Sequence, residues 1–319
     1  MMLERLIFSR FFPVWRWIHR HKIIILMIHG VVDDRLQTTW NPLRRQLSVQ
    51  KFDSGIAALA KFYHFISIEQ ATAILSRQAP VQPYSIVLTF DDGYRNNVTH
   101  ALPILQKYGI PAIFFLSTGH IEQREPYWYD RLDFAIQHLK NEQRVSFAGK
   151  NFLFHPNNET MSRFTFSALR NRVKSARLPY TETMRKIDQI AGILEENAGC
   201  RLVDTFRNDH STGIMSWEEA KWVADQGVTI GSHTVDHVLM DRVDEDSARE
   251  QLAVSKKAIE QHTGKQCSYF CFPNGNWDNK AVNLLRETGF TAAVTTETGA
   301  NLVGDELLTL KRFNFPKVK

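Results

Sequence analysis

The chain has 319 residues, of which 43% are hydrophobic and 23% are charged, so it has enough apolar residues for a large core. Lysine and arginine (39) only slightly exceed aspartate and glutamate (34), and this mild basic excess favours neither nucleic acid nor membrane as a partner. The three cysteines, Cys200, Cys267 and Cys271, exclude a disulfide framework and suit a reducing compartment.

Residues 1–22 form a basic segment that is rich in aromatic and aliphatic side chains. Such a segment either lies in a membrane interface or packs on the rest of the protein as an N-terminal helix. It contains no uncharged run of signal-peptide length, and the apolar run 23–28 is too short to span a bilayer. We therefore expect a cytoplasmic protein that can contact the inner face of the membrane.

Strand and helix patterns alternate between residues 22 and 120. Runs of β-branched and aliphatic residues predict strands, and apolar residues at helical spacing predict helices. The predicted strands are 22–28, 66–68, 85–90 and 112–116, and the predicted helices are 52–62, 69–75 and 97–108.

Residues 121–212 differ in character and predict an inserted, mostly helical cap. Aromatic residues cluster at 127–129, a helix is predicted over 130–139, and a hairpin is predicted over 147–154 with its turn at Gly149-Lys150. A basic helical stretch follows, and its charge fits either a solvated surface or contact with phosphate. The basic residues of this stretch are Arg163, Arg170, Arg172, Lys174, Arg177, Arg185 and Lys186.

The alternation resumes after residue 212. Ser216, with Glu219 three residues later, predicts the start of a helix that ends near Asp225. Further strands are predicted at 228–233, 267–272, 290–295 and 307–313, with helices at 246–262 and 279–288. Alternating elements predict parallel strands, and seven or eight of them suit a deformed or incomplete (β/α) barrel. We expect one α/β domain, 23–319, which carries the insertion.

Polar residues recur where the predicted strands end. The carboxyl ends of parallel barrel strands meet on one face, where active sites are built. We therefore expect these residues to share one site. They are His29, Asp91, Asp92, His120, His233 and the run Pro273-Asn274-Gly275.

His233 and His237 are four residues apart, a spacing that on a helical turn places both imidazoles near one ion. The pair alone is a weak signal, and it lacks the glutamate of helical zinc peptidases. Asp91 and Asp92 close another strand, where they either cap the next helix or serve chemistry. Two histidines and one carboxylate leave an open position, which is typical of catalytic zinc. We expect Asp92 to bind the ion and Asp91 to act as a base toward water.

Two motifs make the sequence similar to the polysaccharide deacetylase family, also called carbohydrate esterase family 4. They are Thr89-Phe90-Asp91-Asp92-Gly93-Tyr94 and Ser232-His233-Thr234-Val235-Asp236-His237, and Phe272-Pro273-Asn274-Gly275 resembles a variant of the third motif. The resemblance covers about residues 22–120 and 213–315. It implies a deformed (β/α) barrel, a divalent ion (zinc first, cobalt or nickel otherwise) and hydrolysis of an acetyl group on a sugar.

The resemblance also implies roles by motif position. Asp91 matches the general base, and the main-chain N–H of Asn274 matches a donor to the oxyanion. The matching metal ligands are Asp92, His233 and His237. Apart from the resemblance, residues 127–129 either stack on a sugar ring or pack within the inserted block, and His120 either lines the cleft or is structural. The candidate substrate contacts are Tyr94, His120, Trp128, Pro273 and Gly275.

The sequence departs from the family pattern at two catalytic positions. The third motif lacks its usual arginine, and no histidine follows His262 to serve as the general acid. Our hypotheses are that His29 protonates the leaving amine and that Arg312 replaces the missing arginine in orienting Asp91.

The sequence therefore predicts a metal-dependent hydrolase that removes the acetyl group of an N-acetylated sugar. The expected substrate is a polysaccharide or a lipid-linked glycan precursor in envelope or exopolysaccharide biosynthesis. The alternatives are a catalytically silent carbohydrate-binding protein of the same fold, a deformylase and an O-deacetylase. No nucleic-acid partner is expected.

Overall fold

The computed structural model describes residues 12–36, 40–44 and 46–316. Residues 1–11 of the predicted N-terminal segment lie outside these ranges. The described part of that segment contains helix α1 (Phe12–Ile18), in which Phe12 is buried and Trp17 is exposed. None of the helices that the structure describes is long and apolar enough to cross a membrane.

Twelve strands and eleven α-helices organise the described chain. The strands are β1 (Ile24–Ile28), β2 (Val31–Val32), β3 (Leu47–Ser48), β4 (His64–Phe65), β5 (Ser85–Phe90), β6 (Ala112–Leu116), β7 (Gln143–Phe147), β8 (Lys150–Phe154), β9 (Thr229–Ser232), β10 (Tyr269–Cys271), β11 (Ala292–Thr298) and β12 (Leu310–Asn314). After α1, the helices are α2 (Val49–Ala60), α3 (Ile68–Leu75), α4 (Leu102–Tyr108), α5 (Thr118–Gln123), α6 (Trp128–Gln137), α7 (Glu159–Ser175), α8 (Tyr180–Ala198), α9 (Trp217–Asp225), α10 (Glu245–Thr263) and α11 (Asn279–Glu287).

Seven parallel strands close into a barrel in the order β1-β12-β11-β10-β9-β6-β5, and β5 pairs again with β1. Leu26 of β1 shows the closure, because it pairs with Phe313 on one side and with Leu88 on the other. The barrel is deformed where the register between β11 and β12 shifts, and β4 adds to β5 outside the ring. The predicted α/β class and deformed barrel are confirmed.

The alternation of side chains along each strand separates the barrel interior from the layer under the helices. Ile25 and Val87 belong to an interior cluster with residues of β6, β10, β11 and β12, whereas Leu26 and Leu88 pack under the surrounding helices. Arg312 follows the interior residue Leu310 by two positions, so it also points into the barrel. All six residues of β5 are buried, as expected for a strand covered on both faces.

Several elements differ from the sequence prediction. The helix predicted over 97–108 begins as a π-helical stretch, Asn97–Ala101, before α4. Pro103 lies at the start of α4, directly after this stretch, and it has no N–H to donate to the preceding turn. His120 lies in α5 rather than at the end of β6, because α5 begins at Thr118. The predicted capping box of α9 is present, with reciprocal hydrogen bonds between Ser216 and Glu219.

Helices α6, α7 and α8 and the β7–β8 hairpin have a hydrophobic core of their own. The hairpin turns at Ala148-Gly149, one residue earlier than predicted. Tyr180 donates a hydrogen bond of 3.0 Å to the main-chain oxygen of Asp236, which ties this unit to the loop after β9. The limits 121–212 for the insertion, and the single domain 23–319, stay predictions. The unit's buried residues include Leu132, Ile136, Val145, Phe147, Phe152, Phe154, Phe166, Leu169, Ile187 and Leu194.

Candidate active site

Two strand ends bring a carboxylate and two imidazoles together. Asp92 follows β5, His233 follows β9, and His237 lies four residues farther on. The Oδ1 atom of Asp92 lies 3.5 Å from the Nε2 atom of each histidine. All three side chains are buried, with at most 9% of any residue exposed.

The loop after β9 is not a helical turn, which corrects the expectation drawn from the spacing of the two histidines. Thr234 and His237 have positive φ angles, 67° and 56°, and a helix is incompatible with them. The Oγ1 atom of Thr234 accepts a hydrogen bond of 3.2 Å from the N–H of Val238 and so fixes the loop. The imidazoles converge because the loop folds back, not because they share a helix face.

The protonation pattern of the cluster suits a cation. The Nδ1 atom of His233 donates to the carbonyl oxygen of Cys271 at 2.6 Å, so its Nε2 atom is the one that faces Asp92. Burial lowers the pKa of His233, but its contacts with Cys271 and Asp92 raise it well above the usual value, so a proton at Nε2 takes the place of a cation between the two side chains. Burial lowers the pKa of His237 to about 4, which keeps that imidazole neutral. Burial opposes ionisation of Asp92, but its hydrogen bonds to His233 and His237 lower its pKa well below the usual value.

The donor set therefore fits a divalent metal ion. Two imidazole nitrogens and one carboxylate oxygen lie within 4.8 Å of one another, and each can present a lone pair to an ion. Such an arrangement is costly unless a cation lies among them, and two nitrogens with one oxygen are ligands typical of zinc. Asp92, His233 and His237 are the residues that would hold it.

A second group of potential donors, Asp91, His233 and Cys271, lies in the same region. This group fits a cation poorly, because the Arg312 guanidinium already contacts it. Arg312 donates to both oxygens of Asp91 and lies 3.2 Å from the sulfur of Cys271. A divalent ion there would lie beside a buried positive charge, so the group that contains Asp92 is the better site.

Asp91 and Arg312 form a bidentate ion pair inside the barrel. Both N–H···O distances are 2.8 Å, and the Arg312 side chain has no exposed surface. Arg312 also donates to the main-chain oxygen of Thr295 and to the hydroxyl of Thr89. Burial would raise the pKa of Asp91, but the guanidinium lowers it below its usual value. The predicted contact between Arg312 and Asp91 is present, while its role in catalysis stays a prediction.

Two tyrosines and one arginine position Asp92. The Tyr129 hydroxyl donates to Oδ2 of Asp92 at 3.0 Å, and the Tyr127 hydroxyl donates to its main-chain oxygen at 2.6 Å. The guanidinium of Arg44 lies 3.4 Å from Oδ2. The expectation that residues 127–129 stack on a sugar does not suit Tyr127 and Tyr129, since both are buried. No sequence motif points to Arg44, which lies between β2 and β3.

His29 lies at the end of β1 and is half-buried. Burial lowers its pKa to about 4, against the opposing charge of Asp92, so the imidazole is neutral at pH 7. Ile28 of β1 pairs with Phe90 of β5, so His29 and Asp91 follow neighbouring strands at the same end of the barrel. Its role as the proton donor stays a prediction.

Asn274 lies in a tight turn, Pro273–Gly275, after β10. Its φ of 55° and the φ of 75° at Gly275 turn the chain sharply at the rim of the barrel. A Cβ atom at Gly275 would lie 2.6 Å from the main-chain nitrogen of Thr296, so only glycine fits there.

The predicted substrate contacts are unequally placed. Tyr94 is fully buried and donates to Asp130 at 2.6 Å, so this burial disfavours direct contact with a substrate. Trp128 and His120 are partly exposed, and His120 lines a cleft of about 370 Å³ whose lining includes neither Asp91 nor the candidate metal ligands. Pro273 is buried in the turn, and Gly275 is partly exposed there. As substrate contacts, all five residues stay predictions.

Comparison with known proteins agrees with this geometry. The sequence profile of the family described as "Polysaccharide deacetylase" matches residues 78–146 and 193–293, more than half of the chain. A Bacillus subtilis (strain 168) protein, YxkH, named provisionally as a polysaccharide deacetylase, is 21% identical over 283 residues. The match covers 88% of this chain but 66% of that relative, just under two thirds of its length.

Two solved structures share the fold. The Streptococcus pyogenes deacetylase PplD, in complex with acetate, has a TM-score of 0.58 at 17% identity, over 92% of each chain. IcaB from Ammonifex degensii has a TM-score of 0.58 at 18% identity, over 92% of this chain and 91% of its own. The matched profile, the barrel and the buried Asp-His-His cluster lead to one conclusion: the chain belongs to the polysaccharide deacetylase family.

Proposed function

We propose that the protein is a metal-dependent hydrolase that removes the acetyl group from an N-acetylated sugar. The observation that carries this proposal is that two adjacent carboxylates have different partners. Asp92 faces two imidazoles, whereas Asp91 is held by Arg312 beside them. One carboxylate is thus placed to bind a cation, and the other is ionised and available as a base.

The proposed reaction breaks the acetamide C–N bond and forms a C–O bond to water. When bound, a divalent cation supplies Lewis acidity for the acetyl oxygen and for the attacking water. Asp91 accepts the proton of that water at a carboxylate oxygen. The N–H of Asn274, in the turn after β10, is the proposed donor to the developing oxyanion. The amine nitrogen gains a proton as it leaves, and His29 is the proposed donor.

We place this chemistry on an N-acetylated glycan or a lipid-linked glycan precursor of the cell envelope or of an exopolysaccharide. Family membership supports an acetylated polysaccharide as the substrate class. Zinc is the proposed ion, since two imidazoles and a carboxylate suit it, and cobalt or nickel would fit the same donors.

Acetate release tests the proposal. The zinc- or cobalt-loaded protein should release acetate from N-acetylated oligosaccharides, and Asp91→Asn should lower the rate by about 10²- to 10⁴-fold, because a general base contributes that much. Glu69→Gln, a change on the distant helix α3, is the matched control and should leave the rate unchanged. If the protein binds these sugars but releases no acetate, it is a silent carbohydrate-binding protein or acts on another acyl group. Release of formate from N-formylated sugars, or of acetate from O-acetylated sugars, would then support the deformylase or the O-deacetylase.

We further propose that the protein works at the inner face of the membrane. Helix α1 supports this, because Val14, Trp17 and Ile18 are more than half exposed. Arg16 and Arg20 accompany them, as in helices that lie in a membrane interface. Sedimentation with anionic liposomes should therefore be weakened by Trp17→Gln with Ile18→Gln. Equal soluble fractions for the native and variant proteins would end the proposal.

A further inference from the structure

Two cations of the cap lie beside the tyrosine that holds Asp92. Arg170 and Lys174 are four residues apart on α7, so they share one face of that helix. The guanidinium carbon of Arg170 lies 5.5 Å from the centre of the Tyr129 ring, and that of Arg44 lies 4.8 Å from the same centre. Tyr129 in turn contacts Asp92. Positive charge is thus concentrated beside the candidate metal centre.

The cations of this cluster do not have carboxylates to match. Arg44 already has partners, because it donates to the Tyr94 hydroxyl at 2.8 Å and lies near Asp92. Within the described residues, Arg170 and Lys174 form no ion pair, and the buried Nε atom of Arg170 has no hydrogen-bond partner. Both side chains are half-buried, so neither is simply solvated.

Asp130, a further carboxyl group that acts on Arg170 and Arg44, neutralises the cluster only in part at pH 7. Asp130 accepts a hydrogen bond from Tyr94, and burial raises the pKa of its carboxyl group to about 7. Burial, with the charges of Arg170 and Arg44, lowers the pKa of Lys174 to about 8, as expected when like charges gather. Arg131 on the neighbouring helix α6 differs, because it is paired with both Glu195 and Asp188.

We propose that Arg170 and Lys174 form a phosphate-binding subsite and that the acetylated sugar carries a phosphate or diphosphate group. This inference rests on the proposed function and names its substrate class. An arginine fork beside a lysine suits phosphate oxygens, and the surplus of positive charge suits a group that carries up to two negative charges. Arg44 adds charge to the subsite but remains bound to Tyr94 and Asp92.

Binding measured without turnover tests the subsite separately from the reaction. The metal-loaded Asp91→Asn protein is titrated by calorimetry with N-acetylglucosamine 1-phosphate, methyl N-acetylglucosaminide and N-acetylmuramic acid, which carries a carboxylate. We expect the phosphate to bind at least about tenfold more tightly than the other two, since charged hydrogen bonds contribute that much. Arg170→Gln and Lys174→Gln should each remove most of this advantage, and Arg170→Lys should keep part of it.

The matched control is Arg163→Gln, two turns earlier on the same face of α7, where Arg163 pairs with Glu159. It should leave the advantage intact. Metal chelation by phosphate is the same in all variants and therefore cancels. The inference would be overturned if the sugar phosphate bound no more tightly than the neutral glycoside, or if N-acetylmuramic acid bound as tightly as the phosphate. It would also be overturned if tighter binding of the phosphate survived both Arg170→Gln and Lys174→Gln.

Acetate release by the native protein then distinguishes a soluble from a lipid carrier of the phosphate. It also distinguishes failure of the subsite from failure of the deacetylase proposal. Faster acetate release from a nucleotide-diphosphate sugar than from a polyprenyl-diphosphate sugar in micelles supports a soluble carrier, and the reverse supports a lipid carrier. Either preference supports the subsite if Arg170→Gln slows release from both diphosphate sugars and leaves release from the neutral glycoside unchanged. Efficient release from the neutral glycoside alone would overturn the subsite but keep the deacetylase. Phosphate binding without any acetate release would keep the subsite and remove the deacetylase.

Discussion

Asp91 and Arg312 pair inside the barrel, where neither side chain has appreciable contact with water. Because the pair is buried and bidentate, it holds the base ionised and fixes its direction. Asp91 keeps its charge at a pH where the unfolded carboxyl group would be protonated. The pair therefore stabilises the fold above the usual carboxyl range, and this contribution is lost as the pH falls through the lowered pKa.

Arg312→Gln should change the pH dependence of the reaction as well as the stability. Without the guanidinium, burial raises the pKa of Asp91, so the acid limb of kcat/KM should move to higher pH. The unpaired buried carboxylate should cost about 3–5 kcal/mol of unfolding free energy. A pH–rate profile and a denaturant titration measure the two effects. An unchanged acid limb would show that Arg312 only supports packing.

His29→Ala tests the proposed proton donor. Its imidazole is neutral at pH 7, so it must first gain a proton within the reaction before it can protonate the amine. Loss of such an acid should lower kcat by about 10²- to 10⁴-fold while metal content stays the same. His64→Ala, in an exposed position on β4, is the control. Near-normal turnover in the His29 variant would exclude the role.

Single residues were predictable from the sequence where they follow strands. Asp91, Asp92 and His233 each follow a strand. Side chains alternate along β12, and this alternation puts Arg312 in the barrel interior with Leu310, beside Asp91. Arg44 and Tyr129 could not be assigned to Asp92, because neither residue follows a barrel strand or belongs to a motif of the site. Contacts of this kind depend on how the cap and the loops pack, which no local pattern encodes.

The turns that follow the strands position the site residues as much as the strands themselves do. Asp92, Thr234, His237 and Asn274 all have positive φ angles, so the backbone bends sharply at each side of the mouth. Strained backbone of this kind persists only where its surroundings hold it, and it clusters at functional sites. The helical turn expected for the two histidines was wrong for this reason, since spacing alone carries no information about φ.

Gly275→Ala should disturb the turn that carries Asn274. The new Cβ atom would meet the main-chain nitrogen of Thr296 at 2.6 Å, in addition to the penalty for a positive φ. Gly289→Ala is a matched control, because Gly289 has the same φ of 75° with no atom within 4 Å. The control should lose about 1–2 kcal/mol of stability, and Gly275→Ala should lose more and also release acetate more slowly. Equal stability losses in thermal unfolding would contradict this account.

At the scale of the whole molecule, a parallel barrel brings together site residues that are distant in the chain, such as Asp91 and Arg312, which are 221 positions apart. The alternation of strand and helix predicted this architecture, because the spacing of apolar residues distinguishes the strands from the helices. The cap was predicted as an insertion, but its contribution was not. Its first helix supplies Tyr129 to Asp92, and its long helix α7 supplies Arg170 to the mouth. The cap thus completes the site instead of merely covering it.

The central claim is that Asp92, His233 and His237 hold one divalent ion. Metal analysis of the purified protein after loading with zinc or cobalt tests it most directly. The account predicts one equivalent per chain in the native protein and in Cys271→Ala, and almost none in Asp92→Asn or His237→Ala. A full equivalent in the Asp92 and His237 variants, or its loss in Cys271→Ala alone, would contradict the account and point to the donors around Asp91.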